Sequence, residues 1–312
     1  MSNRTIPRLL QTPAVLLLLV WMLVPLAMTI YFSLIRYVLN SLRRPEWTTP
    51  SPSNWRGLGN YEYVLNAKDF WFSIQNSVFI VVSILLLTVV LGLAIAVLVN
   101  RNFPGRGIVR VLLISPFFVM PAVNAVLWIN MILDPVLGLQ GIAVGGLNNL
   151  IEELRDFPIL GWFFSMWPHL EPISFRATQT SAYAVIMMVT WQWTPFAVLI
   201  FMTSLQSEDE SQKEAATLDG AGPWSQFINL TVPHLARPIA IVVMIQSIFH
   251  LSLYAEIEIV SRGNGNKNLP YLIGEFSSNN IGAASATGIF AVILANIIAI
   301  FLLRMVGKSL MD

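Results

Sequence analysis

The residues with chemistry to offer are few and scattered. His169, His234 and His250 lie far apart in the chain and show no metal-ligand spacing. Glu152 and Glu153 are adjacent, so a helix would turn them in different directions; they read as solvated charge rather than an acid–base pair. Serine is plentiful, but no nucleophile elbow surrounds it. Gly307-Lys308-Ser309 ends like a phosphate-binding loop, yet the motif needs glycine where Leu302 stands, and a strand before it. Cysteine is absent, which excludes disulfides, iron–sulfur clusters and thiol nucleophiles and leaves the redox compartment open. A membrane-embedded enzyme would need clustered acids or histidines within apolar segments, and none stands out.

A different pattern runs through the apolar part of the chain. Gln246, His250, Tyr254 and Glu258 recur every four residues, which on one helix makes a slanted polar stripe. Glu256 would lie nearly opposite Glu258 unless the helix ends there. Polar groups in lipid are costly, so they face a bundle interior or a water-filled path. Two readings fit equally: the stripe lines a solute path, or it hydrogen-bonds to a neighbouring helix. Asn124, Asn130, Trp191, Gln192 and Trp193 are weaker candidates of the same kind. Aromatic faces beside hydroxyl-binding groups suit a sugar, although Trp also anchors at membrane interfaces.

The elements that carry these residues are set by hydropathy. The chain has 312 residues, of which 55% are hydrophobic and 11% charged, with a mean hydropathy of +0.67. Soluble domains carry about 25% charged residues. The net charge of +1 gives no pull toward nucleic acid. A bilayer core needs about 20 apolar residues in a helix. Six blocks qualify: Pro13 to Ile35, Phe70 to Val99, Ile108 to Leu133, Thr180 to Leu205, Pro238 to Val260 and Ile281 to Val306. Pro116 and Pro121 predict kinks in the third. Arg4 and Arg8 before the first block suggest a secretory signal, but the apolar part is too long, and an uncleaved first helix fits better. Basic residues divide evenly between the two sides, so charge alone sets orientation only weakly.

Between the blocks, Arg36 to Asp69 is Pro- and Gly-containing and reads as irregular. Asp134 to Gln179 reads as a short interfacial helix followed by a Pro-rich excursion. Gln206 to Pro238 is the most informative segment. Ser207 can cap a helix whose first turn is acidic (Glu208, Asp209, Glu210), favourable at the positive end of the helix dipole. Lys213 to Leu218 continue it, Gly220 and Gly222 end it, and Pro223 prevents its immediate resumption. A short Ala-rich helix with a glycine turn suits insertion into a partner's cleft; a plain surface connector is the alternative.

Glu214-Ala215-Ala216, then Gly220, then Leu230-Thr231-Val232-Pro233 resembles the cytoplasmic EAA loop of ABC importer permeases, and Asp219-Gly220-Ala221 fits it too. Leu230 and Val232 stand where the family usually has Ile and Leu. The resemblance covers nearly the whole chain and is closest to the carbohydrate group, the maltose and glycerol-3-phosphate type. Pro116 to Pro121 resembles that group's third span. Tyr254-Ala255-Glu256-Ile257, Gly282 to Ala286 and Val292 to Ile297 resemble its sugar-alcohol branch. Two outer segments depart from the pattern: Ser261 to Gly265, and an enlargement around Phe163 to Thr178.

The resemblance implies an all-α, six-span type I importer fold, one transmembrane domain over residues 1–312, with residues 206–238 as the coupling loop. It implies a bacterial inner-membrane permease with both termini cytoplasmic, itself not an enzyme. Its cofactors would be none; ATP and Mg would be bound by a cytosolic ATPase dimer. The other implied partners are a second homologous permease, an extracytoplasmic binding protein and a carbohydrate substrate. Glu214, Ala215, Ala216, Asp219, Gly220, Ala221 and Pro233 would couple to the ATPase. An ATP-independent carrier or channel is the competing reading; it predicts inverted repeats with broken helices and uptake by this chain alone.

Overall fold

The structure is a computed structural model that describes residues 5–39, 44–157 and 161–311. Arg4 lies outside the described residues, and of Gly307-Lys308-Ser309 only the helical backbone is described. Helices dominate: α1 (Thr5–Ser33), α2 (Gly59–Asn66), α3 (Lys68–Asn100), α4 (Arg106–Ile114), α5 (Pro121–Leu127), α6 (Leu139–Arg155), α7 (Gly161–Ser165), α8 (Ser181–Leu205), α9 (Glu210–Leu218), α10 (Pro223–Gln226), α11 (Val232–His234), α12 (Ala236–His250), α13 (Ala255–Ser261), α14 (Leu269–Ser277) and α15 (Ile281–Met311). Among the described residues there is no β-strand, only two isolated bridges. Four helices are long and apolar enough to cross a membrane, within Gln11–Ser33, Lys68–Asn100, Ser181–Leu205 and Ile281–Phe301. Two bent pairs raise the number to as many as six.

The first bent pair lies where the third span is expected. Arg106–Phe118 and Pro121–Ile132 meet at 102°. Proline at 121 bars the α conformation for the residue before it, and Met120 and Val119 are extended there (ψ 140° and 130°). The block expected as a fifth span, Pro238 to Val260, departs from expectation: its helix begins at Ala236, after a 55° bend from Pro223–His234, and stops at His250 rather than running to Val260. The backbone reopens over residues 251–254 and a separate helix, α13, starts at Ala255. Two further helices, α2 and α14, occupy stretches with no helical signal in the hydropathy; the segment Arg36 to Asp69 is therefore not wholly irregular.

The chain divides into two compact units, Met1–Ile74 with Leu269–Asn296, and Gln75–Asn268 with Ile297–Asp312. In the first, Val64 and Phe70 pack with Leu269, Leu272, Ala283 and Ala286. Asn60 is fully buried and donates 2.8 Å bonds to the carbonyls of Ser33, the last residue of α1, and Ile35, two residues beyond it. Arg56 donates to its Oδ1 at 2.8 Å. A side chain on Gly282 would come within 2.7 Å of Asn60 Nδ2 and Ile35 O, so glycine permits that approach. Replacing Asn60 with Ala strands two buried carbonyls, and about 1–3 kcal/mol of stability should be lost. Thermal unfolding in lipid nanodiscs checks this, and an unchanged midpoint would refute it. The apolar window of α1 itself is 0% buried within the chain.

In the second unit α8 is central, with 67% of its apolar window buried. Ala197, Phe201 and Leu205 pack with Ala96, Leu235 and Val242. At Gly92 an added Cβ would fall 2.7 Å from the Cβ of Ala197, so α3 and α8 approach at a small-residue contact.

Candidate functional site

Two groups of residues in the second unit were singled out by sequence. The first is the loop after α8. Its helix is shorter than expected and its cap is displaced. Ser207 closes the end of α8 instead, donating from both its backbone N and its Oγ to the carbonyl of Ser204. Asp209 is the N-cap of α9, accepting 2.9 Å from the amide of Ser211. The other end follows the glycine rule closely. Gly220 has φ +80°, its amide bonds to Thr217 O at 3.1 Å, and the amide of Ala221 reaches back to Ala216 O at 2.9 Å. That paired closure is a Schellman motif. Asp219 caps the helix from the end, bonding Ala215 O at 2.9 Å. Gly222 is ordinary in φ, and Pro223 opens a new helix, α10, rather than only blocking the old one.

α9 presents Glu214, Ala215 and Leu218 outward, and Leu218 is 89% exposed. Trp224 is 72% exposed and stacks on Phe227 at 5.7 Å. Ala216 is half-buried, and Pro233 is exposed. Leu218 and Trp224 are thus large apolar side chains exposed, among the described residues, on the most polar loop between the apolar blocks.

One residue of this loop was undervalued by sequence. Glu208 read only as dipole-favourable charge. Its side chain is 5% exposed and lies 2.9 Å from Lys213 Nζ, while its Oε1 accepts 2.9 Å from Thr231 Oγ1. It therefore ties the start of α9 to the π-turn Phe227–Thr231 and to α9's own next turn. His234 joins the same seam, with Nε2 2.9 Å from Ser204 O. Neither partner is signalled in the sequence: i, i+5 is not a facing spacing on a helix, and Thr231 lies 23 residues away.

The second group is the set of polar residues within the spans. The expected stripe is split. Gln246 and His250 are buried on α12, whereas Tyr254 lies in the break and is 43% exposed. Glu258 is half-buried on α13, and Glu256 beside it is buried. A regular helix through all four residues does not exist, so they do not form one face. Gln246 donates a long bond, 3.4 Å, to Trp193 O, and its Oε1 has no partner among the described residues. Among the described residues neither ring nitrogen of His250 has a hydrogen-bond partner, and its ring meets that of Trp193 edge-on at 5.0 Å. Trp193, Gln246 and His250 are thus brought together. Asn124 is instead engaged elsewhere, donating to Met188 O at 3.1 Å and to Gln192 Oε1 at 3.0 Å. Gln192 donates to Val119 O, the carbonyl released where the third span breaks. Asn130 accepts 2.7 Å from Arg176. Trp191 turns the other way, 41% exposed against Trp128, and borders a cavity of about 710 Å³ lined by Leu87, Leu91 and Pro195. Among the described residues no group of His, Asp and Glu could hold a metal ion.

Known proteins with this arrangement can now be set beside it. The chain is 29% identical over 267 residues to a probable ABC transporter permease protein of Sinorhizobium fredii, covering 86% of this chain and 77% of that one. It is 28% identical over 274 residues to a trehalose/maltose transport system permease protein of Thermococcus litoralis, covering 86% and 82%. A solved bacterial alginate ABC transporter, in complex with an alginate pentasaccharide-bound periplasmic protein, superposes with a TM-score of 0.70 at 18% identity, covering 96% of this chain and 93% of that one. That likeness assigns the fold, an importer permease fold. The family model for the inner membrane component of binding-protein-dependent transport systems matches residues 88–312, from within α3 to the C-terminus and including the loop after α8, so the chain belongs to that family of membrane transport subunits.

Proposed function

We propose that this chain is the permease subunit of an ATP-binding-cassette importer that moves a sugar, sugar alcohol or related carbohydrate. In this reading all 312 residues form one transmembrane permease domain of six spans, with both termini cytoplasmic. An extracytoplasmic binding protein delivers the solute, a second related permease completes the path, and a cytosolic ATPase dimer binds ATP and Mg. The observation that carries the reading is the α9 loop. Its Glu214-Ala215-Ala216 helix ends in a left-handed Gly220, and it exposes Leu218 and Trp224 in a segment otherwise polar. An apolar patch on such a loop is shaped for protein docking, and a coupling helix seated in an ATPase cleft is the matching use. The carbohydrate part of the reading is supported by the trehalose/maltose relative and by the resemblance in residues 254–257, 282–286 and 292–297; the polyol version rests on the latter alone.

Trp193, Gln246 and His250 are the first choice for lining the path, with Tyr254, Glu258, Asn124 and Trp191 as the outer set. Asn124 carries the weakest case, since its amide already holds α5 to α8. Deleting the gene should abolish uptake of one carbohydrate, and the intact gene should restore it. Loss of amino-acid or metal uptake with carbohydrate uptake intact would overturn the substrate class while leaving the subunit assignment standing.

A further inference from the structure

The helix α6 is built inside out. Its inward side carries the polar groups. Gln140 donates to Ile173 O at 3.0 Å, and Asn148 exchanges two 2.9 Å bonds with the backbone of Leu170. Arg155 donates to Phe164 O at 3.1 Å and Trp167 O at 2.6 Å. The side turned away from the protein is mainly apolar as far as Leu150, with Asn149 at its edge and Glu153 one turn beyond: Leu139 is 63% exposed, Ile142 64%, Leu147 48% and Leu150 52%. At helical spacing these residues occupy one broad face over three turns. A helix that satisfies its polar side inward and shows leucines outward is not designed for water.

Its position says what covers it. The bent span ends at Ile132, and α6 begins at Leu139. Asp134 closes the connection: its Oδ1 accepts from the amides of Val136 and Leu137 at 2.9 and 2.8 Å, and its carbonyl from Gly138 at 3.2 Å. Those amides also hold the Asp134 carboxyl below its usual pKa, so the turn is charged and closed at neutral pH. The first turn of α6 is therefore tethered to the span's end. Leu127, Met131 and Ile132 of the span share one hollow of about 490 Å³ with Leu137, Leu139 and Ile142. Trp128, Asn130 and Trp191 complete that hollow, so the apolar surface of Leu127, Met131 and Ile132 continues onto the first turn of α6. At the far end Glu152, Glu153 and Asp156 return the helix to water, and Trp162 just beyond is 69% exposed, a residue type suited to the headgroup layer.

We propose that α6 is a lipid anchor: it lies along the bilayer surface at that end of the span with Leu139, Ile142, Leu147 and Leu150 in the acyl boundary, and it holds the long loop of residues 134–179 against the membrane. The occupant is the lipid surface, not a protein partner. Membership of a transport complex is not needed for this, so its test is independent of the transport reading.

Because the chain has no cysteine, single labels can be placed without background. Leu139→Cys, Ile142→Cys and Leu150→Cys would each be spin-labelled in the full chain, with any subunits that copurify, in phosphatidylethanolamine–phosphatidylglycerol vesicles. Met131→Cys serves as the span reference and Glu152→Cys as the water reference. Collisions with oxygen report lipid, and collisions with a water-soluble nickel chelate report water. All three labels should favour oxygen several-fold, as at Met131, and Glu152 should favour nickel. Nickel-dominated broadening at Ile142 and Leu150 would overturn the proposal in favour of a solvated helix. Labels shielded from both reagents would overturn it in favour of a protein cover.

Discussion

Gly220→Val and Glu214→Arg are each expected to abolish coupled transport while the chain still inserts in the membrane. The reasons differ. Gly220 sits at φ +80°, and none of the described residues lies within 4 Å of where its Cβ would be. Valine there meets no internal clash; its cost is backbone strain, about 1–2 kcal/mol for an L-residue in that region and more for a β-branched one. Relief of the strain would unwind the Schellman closure and swing α9 off its axis. Gly220→Asn, which tolerates the left-handed region, should keep most activity. If Asn is as damaging as Val, the requirement comes from contact with a partner at that surface and not from φ. Glu214 is exposed and has no fold role in this chain, so Glu214→Arg should leave stability unchanged and remove ATPase binding. The readouts are ATPase copurification and substrate-stimulated hydrolysis in the reconstituted complex. Wild-type behaviour by both variants would make this loop an ordinary connector.

Glu208 carries the second large effect. It joins the start of α9 to the π-turn that leads into α12, and the coupling proposed above would pass through that joint. Glu208→Ala removes the acceptor for Thr231 Oγ1 and the ion pair with Lys213. Hydrogen bonds to charged groups contribute about 1.5–3 kcal/mol, and Lys213, with 39% of its side chain exposed, is screened enough to hold the loss at the lower end. The expected phenotype is ATP hydrolysis that no longer answers to substrate, with the ATPase still bound. Glu208→Gln keeps the bond to Thr231 and should recover much of the coupling. A Glu208→Ala variant that transports normally would show that α9 is held by other contacts. One that loses the ATPase entirely would show that Glu208 shapes the docking face and not the linkage.

The parts of this fold legible in sequence are those written locally. Long apolar blocks gave the spans, and Pro121 gave the sharp bend, because a proline restricts its predecessor wherever it stands. The short helix after α8 and its left-handed end were legible because acidic, alanine and glycine residues mark a helix start, body and stop locally. What escaped was set by distant partners. Leu251-Ser252-Leu253-Tyr254 contains no helix breaker, yet the helix ends at His250. The buried carbonyl of Leu253, which no helix satisfies, accepts from the side chain of Asn268, 2.6 Å away and itself buried. Ser207 and Asp209 are equally good caps, and the choice fell on Asp209 because Ser207 is occupied by the end of α8. The buried position of Glu208 depends on Thr231, 23 residues on, which no local pattern reports.

The central claim is that this chain supplies a membrane path and docks the motor that another chain provides. The most direct measurement is affinity purification of the tagged chain from its native membrane, with the retained proteins identified and ATP hydrolysis assayed before and after stripping to the single chain. The account predicts an ATPase and a second permease in the retained set, with hydrolysis that disappears when the chain is alone. Hydrolysis by the stripped chain, or solute uptake by it alone in vesicles, would contradict the account.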